Sequence, residues 1–176
     1  MRNAVVFVLP IFLLLGVPAW FLFPPRDVPA SSDAIVVVAG ASDGRHQLGA
    51  ELVDRGIARN FVVSNPSGDK DIVGFEHCSG DKRPEVADET WCMKPTPGTT
   101  MGEAKTVGVL AEREGWTSAT VVTNRPHTRR VRTTFEACTT LEISVVPKEN
   151  VDIVRAPIHI AREIAGFIKF WATNPC

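Results

Sequence analysis

Tyrosine is absent from this 176-residue chain, and neither sign of charge is in real excess: 19 Lys and Arg face 20 Asp and Glu, a formal net charge of −1. The missing tyrosine removes the aromatic most used at binding surfaces, although nine Phe and four Trp remain. The charge balance argues against a nucleic-acid-binding protein, which is usually clearly basic, so no nucleic-acid partner is expected. The chain also lacks C-x-x-C spacing, and His77 beside Cys78 has no matching second pair, so a zinc site is unsupported. Neither a nucleophile elbow nor a Walker loop is expected, so familiar nucleophilic chemistry is unsupported. Neither a metal nor a cofactor is expected. There is no internal repeat and no low-complexity tract, and the length suits one domain with a sizeable core.

What the chain does have begins with AVVFVLPIFLLLGVPAWFLF, residues 4–23, twenty positions without a charge. About twenty apolar residues span a bilayer. Trp20 and the aromatics after it suit the outer interface, and Pro10 and Pro18 cost less there than in a soluble helix. A cleaved signal peptide competes, because VPA at residues 28–30 offers small residues to a peptidase. A signal core usually runs about 7–15 residues, however, so the length favours an anchor. Four cysteines, Cys78, Cys92, Cys138 and Cys176, all follow this run. Four allow three pairings. The preferred set is Cys78–Cys92, closing a short loop, and Cys138–Cys176, tying down the C-terminus. A disulfide framework fits a domain outside the cytoplasm.

Along the chain, residues 24–32 read as a linker. DAIVVVAG (33–40) is a β-branched run ended by glycine, as expected of a strand buried on both faces. RHQLGAELVDRG predicts a helix and NFVVS a second buried strand. Residues 65–89 read as a long polar loop, with a short strand near TWCM. TTMGEAKTVGVLAEREGW is a helix in which Thr100 and Glu103 form a T-x-x-E capping box. ATVVTN is a strand, RPHTRRVRTTFEAC a helix and EISVVP a last strand. DIVRAPIHIAREIAGFIKFW is a final helical segment with a break before Pro157. This alternation predicts an α/β domain with a mainly parallel sheet.

Ligands in such sheets sit at the carboxyl ends of the strands. The first strand delivers Gly40, Ser42, Gly44 and Arg45 there, and the second Ser64 and Asn65. The third leads to Thr99, Thr100 and Glu103, and the fourth to Thr123, Asn124 and His127. Helix N-termini add backbone N–H donors, so this inventory suits a phosphate or another oxyanion. At about 100° per residue, Val131, Phe135 and Cys138 form the buried stripe of the fourth-strand helix. His127 lies near that stripe and Arg130 at its boundary. Arg125, Arg129 and Arg132 fall on the far side with Glu136, as a solvated basic face. His127, in the first turn, can act as acid, base or donor. Its bland alternative is a satisfied core histidine. Arg45 shares a helix face with Leu48 and Leu52 and needs a partner, an anion or Glu103. In the bland reading Arg45 makes a structural ion pair, Glu103 only caps, and Thr99, Thr100 and Ser64 cap or turn.

Together these pieces resemble the YdcF/SanA/ElyC-like family, the bacterial domain of unknown function 218. The matching elements are DAIVVVAG with Arg45 after it, GIARNFVVS, TPGTTMGEA and VVTNRPHTRR, over about residues 33–147. WCMKPTPGTTMGEA and GWTSATVVTN look like its extracytoplasmic branch from actinobacteria. The resemblance implies a Rossmann-like three-layer α/β/α domain whose cleft is lined by positions matching Gly40, Arg45, Ser64, Thr100, Glu103, Thr123, His127 and Arg130. The loop AGASDG, in place of a plain glycine pair, and the long cystine loop depart from the family pattern.

The expected organisation is a membrane anchor over 1–23, a linker over 24–32 and the α/β domain over 33–176. The expected protein is single-pass, with its domain on the extracytoplasmic side. In that reading it serves envelope biogenesis by binding, with or without turning over, a phosphorylated lipid-linked or nucleotide-like ligand. His127 and Glu103 are the catalytic candidates. Gly40, Ser42, Arg45, Ser64, Thr99, Thr100, Thr123, Asn124 and Arg130 are the binding candidates. The alternative is a non-enzymatic envelope scaffold.

Overall fold

A computed structural model describes residues 15–40, 43–150, 152–173 and 176. Five strands form one sheet: β1 (Ala34–Val37), β2 (Asn60–Ser64), β3 (Glu89–Met93), β4 (Ser118–Asn124) and β5 (Glu142–Lys148). All are parallel, in the order β3-β2-β1-β4-β5. Val36 stands between Val62 of β2 and Val121 of β4, and every residue of β1 is buried. A continuous Ile/Val run is what such a central strand requires, since both of its faces are covered.

Two helices cover one face, α2 (Arg45–Asp54) and α3 (Ile72–Cys78). There Ile35, Val37, Phe61 and Val63 pack with Leu52 and Val53. The opposite face carries α4 (Thr100–Glu114) and α5 (Thr128–Cys138). There Val36, Val38, Val62 and Val121 meet Ala104, Val107, Val131 and Phe135. The last helix, α6 (Ala156–Thr173), packs on α5, and the short α1 (Val17–Leu22) packs on α6. The architecture is thus a three-layer α/β/α sandwich of Rossmann-like form.

Both cystines form as expected. Cys78–Cys92 ties the end of α3 to β3, and Cys138–Cys176 ties the end of α5 to the C-terminus.

Several local expectations need correction. Residues 65–89 are not one loop: a 3₁₀ turn (Gly68–Lys70) and α3 lie within them. Asp71 starts α3, accepting from the Gly74 N–H at 3.1 Å. The last helix begins only at Ala156, with Asp152 Oδ1 accepting from the N–H groups of Val154 and Arg155 just before it. Residues 24–32 are not a free linker. Asp27 Oδ2 accepts from the Val145 N–H at 2.7 Å and from Arg132 at 2.5 Å, while the Ser32 N–H donates to the Ile57 carbonyl. Nor are Arg129 and Arg132 a solvated face. Both are half-buried and grip the N-terminal segment, Arg129 by stacking 4.2 Å from the Trp20 ring centroid and donating to the Trp20 carbonyl.

Most of the expected anchor, residues 1–14, lies outside the described residues; its described end does not stop short of the domain at residue 23, since α1 packs on α6 with Phe21 buried. Among the described residues no helix is long and apolar enough to cross a membrane.

Candidate functional site

The strand order reverses direction at β1, so the crevice for a ligand opens at the carboxyl ends of β1 and β4. A cleft of about 700 Å³ lies there. Ala39 and Gly40 reach it from the end of β1, Arg45 from α2, Gly98, Thr99, Thr100 and Glu103 from the start of α4, and Asn124, His127 and Arg130 from the end of β4 and the start of α5. The fifth contribution was not expected: His159, Arg162, Glu163 and Ala165 of α6 close the remaining wall.

Arg45 is only 2% exposed, and it faces the β1 terminus. Its partner within the chain is not Glu103. Asp43 binds it through both carboxylate oxygens, at 2.9 and 2.6 Å, and the Ala39 carbonyl accepts at 3.1 Å. Burial would raise the Asp43 carboxyl, but the Arg45 bonds outweigh it and hold that group below its usual range. Gly40 lies directly against the Arg45 guanidinium. Asn124 spans two elements: its Oδ1 accepts from the His127 N–H at 3.1 Å, and its Nδ2 donates to Asp43 at 3.4 Å.

The start of α4 is shifted by one residue from the expected capping box. Thr99 is the N-cap, accepting from the Gly102 N–H. Glu103 therefore does not close a box with Thr100. It is buried and accepts from the Ala39 N–H at 2.7 Å, pinning the end of β1 to α4. The loop before the helix folds back on the first turn so tightly that a Cβ at position 102 would lie 1.9 Å from the Pro97 carbonyl oxygen. Only glycine permits that approach.

His127 sits at the N-cap of α5 and is buried. Its Nδ1 is 2.9 Å from Glu163 Oε2, and its Nε2 is 3.3 Å from Thr100 Oγ1. Arg130 binds both ends of this chain of groups. It donates to the two oxygens of Glu163 at 2.7 and 3.0 Å and to Thr100 Oγ1 at 2.9 Å. Gly166 of α6 makes room for it, since a Cβ there would lie 2.5 Å from Arg130 Nε. Burial pushes the His127 imidazole below its usual value, against the pull of Glu163. Burial would raise the Glu163 carboxyl, but its contacts with His127 and Arg130 win and hold it at about 2. The pair is therefore a neutral imidazole donating from Nδ1 to a carboxylate. The Thr100 hydroxyl accepts from Arg130, so its own proton points to the lone pair on His127 Nε2.

Most of the expected residues thus meet in one place: Gly40, Arg45, Thr99, Thr100, Glu103, Asn124, His127 and Arg130 all line the cleft. Ser64 and Thr123 do not line it. Each is fully buried, and neither hydroxyl has a partner among the described residues. Ser42 lies outside the described residues.

Glu163 is the residue that sequence reading missed. A signal existed, because Glu163 lies three positions after Ile160 on the buried side of an amphipathic helix, where a carboxylate needs a partner. The expectation of no nucleophile elbow also needs correction. Gly40–Ala41–Ser42–Asp43–Gly44 is itself a G-x-S-x-G string between a strand and a helix.

The charges of the cleft nearly cancel. Arg45 is compensated by Asp43 and Arg130 by Glu163. Arg162, exposed at the rim, and the buried Glu103 complete the set. Attraction for an anion therefore rests on Arg162 and on the first-turn N–H groups of α4, of which those of Thr100 and Met101 donate to no backbone carbonyl among the described residues. No protein-family model, curated protein or solved structure matches this chain.

Proposed function

We propose that this is a YdcF-like envelope protein, anchored by its N-terminal apolar run, whose extracytoplasmic cleft binds and hydrolyses a phosphate ester. The carrying observation is the chain Glu163–His127–Thr100, bridged by Arg130, at the mouth of a helix N-terminus. A neutral histidine oriented by a carboxylate is equipped for general acid–base work. The near-cancellation of charge favours a singly charged ligand, such as a phosphodiester, over a dianion. The two cystines support a compartment outside the cytoplasm. An apolar groove lined by Trp20, Phe21, Phe167 and Trp171 lies beside α1, where the apolar run reaches the domain, and supports a membrane-proximal position.

Thermal unfolding of the full chain in detergent tests the binding step. Diphenyl phosphate at ten times its dissociation constant adds about 1.4 kcal/mol. For a domain of this size that is a rise of about 3–6 °C in Tm. Phenyl phosphate, a dianion, should give a smaller shift at equal concentration. If neither compound moves Tm, the scaffold reading replaces this one, and the compensated charges of the cleft already suit it.

A further inference from the structure

We propose that Thr100 is the nucleophile of this site: its hydroxyl attacks the phosphorus of a phosphodiester while His127, aligned by Glu163, takes its proton. The inference rests on the phosphate-ester reading above and assigns it a covalent route.

Three observations carry it. Thr100 lines the cleft, and its hydroxyl lies 3.3 Å from His127 Nε2, the nitrogen that Glu163 leaves free. Arg130 donates to the same oxygen at 2.9 Å. That contact occupies a lone pair, steers the hydroxyl proton towards His127, and stabilises negative charge building on Oγ1. Finally, Thr100 is the first residue of a 15-residue helix, so the N–H groups beside it face charge developing on the phosphoryl oxygens. The tight turn at Gly102 and Pro97 fixes that presentation. Thr99, its neighbour, is already committed as the N-cap.

The step balances with water as the only co-reactant. As the Oγ–P bond forms, the bond from phosphorus to one ester oxygen breaks. The Thr100 proton passes to His127 Nε2 and on to the leaving alkoxide, which departs as an alcohol. Water then attacks the phosphothreonine, giving its proton to His127. The Oγ–P bond breaks, His127 returns a proton to Thr100, and a phosphomonoester leaves.

An alkyl fluorophosphonate tests the nucleophile without a known substrate. Its P–F bond breaks as Thr100 Oγ bonds to phosphorus, and fluoride departs with the proton. We expect one adduct per chain on Thr100, mapped by peptide mass spectrometry. Thr100→Ser should keep the adduct. Thr100→Val, a near-isostere, should lose it while still unfolding cooperatively, and Glu163→Gln should label at least tenfold more slowly. No adduct on folded protein overturns the proposal, as does an adduct on Ser42 or one that survives His127→Ala at an unchanged rate. Diphenyl phosphate stabilisation without an adduct overturns the nucleophile and leaves the binding cleft standing. An adduct without that stabilisation supports the nucleophile and removes the phosphodiester as ligand.

Discussion

Lowering the pH should destabilise the domain through one residue outside the cleft, His46. This histidine lies in the first turn of α2, is 1% exposed, and has no hydrogen-bond partner for either ring nitrogen among the described residues. Burial, with the nearby His77 and Arg45, pushes its pKa from 6.5 down to about 4, against a smaller upward pull from Asp71 and Asp43. The sign follows from linkage. The folded value lies below the unfolded one, so the unfolded chain binds the proton more readily, and stability is lost as pH falls from 6.5 towards 4. That difference amounts to about 2 kcal/mol at pH 5 and about 3 kcal/mol at pH 4. Other groups titrate over the same range, so the informative quantity is a difference between two proteins. His46→Leu removes the titrating ring and leaves the other groups in place. Urea unfolding at pH 7 and pH 5, without reductant, should show the variant gaining about 2 kcal/mol on the wild type between the two. With a typical slope for this size, that is about 1 M in urea midpoint. Parallel curves for the two proteins would refute the account and mean that His46 is hydrated or finds a partner on protonation.

Glu163→Gln should cost about 3 kcal/mol in urea unfolding at pH 7, because it leaves Arg130 without its buried counter-charge; a loss below about 1 kcal/mol would count against the pairing. The Glu163 contribution is present above the usual carboxylate value of 4.5 and should fade only as pH falls towards 2, so it separates cleanly from the His46 effect. Gly102→Ala should displace the loop at Pro97, cost about 1–3 kcal/mol by overpacking, and abolish fluorophosphonate labelling; normal labelling would show that the turn does not position Thr100. Cys138→Ser should lower stability by about 2–4 kcal/mol by freeing the C-terminus, read as a Tm difference from wild type that vanishes in reductant.

The central strands were legible because burial on both faces demands unbroken apolar runs, and DAIVVVAG, NFVVS and ATVVTN have them. The edge element TWCM was legible from weaker signals, and α3 was not. Its seven residues are too few to show a helical period, and polar neighbours conceal them. Within the site, the residues at strand ends could be listed from topology alone, because a parallel sheet fixes which ends face the ligand. Their pairings could not. Arg45 chose Asp43, two residues away, over Glu103, and Glu103 instead fixed a backbone N–H of β1. Glu163 comes from a helix that follows the last strand, so no rule about strand ends reaches it. Its position is set by how α6 packs on α5.

That packing also explains how a site rich in charged groups can remain so nearly neutral. Arg130 alone in a half-buried position would bind any small anion, but Glu163 occupies it in a two-point contact and turns its third N–H bond onto Thr100. The guanidinium is thereby spent on geometry instead of on long-range attraction. What remains for a ligand is short-ranged: the Arg162 side chain at the rim and the N–H groups at the start of α4. Helix-terminus contacts act within the first turn and depend on placement more than on net charge. A cleft built in this way discriminates by where a phosphoryl oxygen sits relative to Thr100, and it offers a dianion little that a monoanion does not already receive.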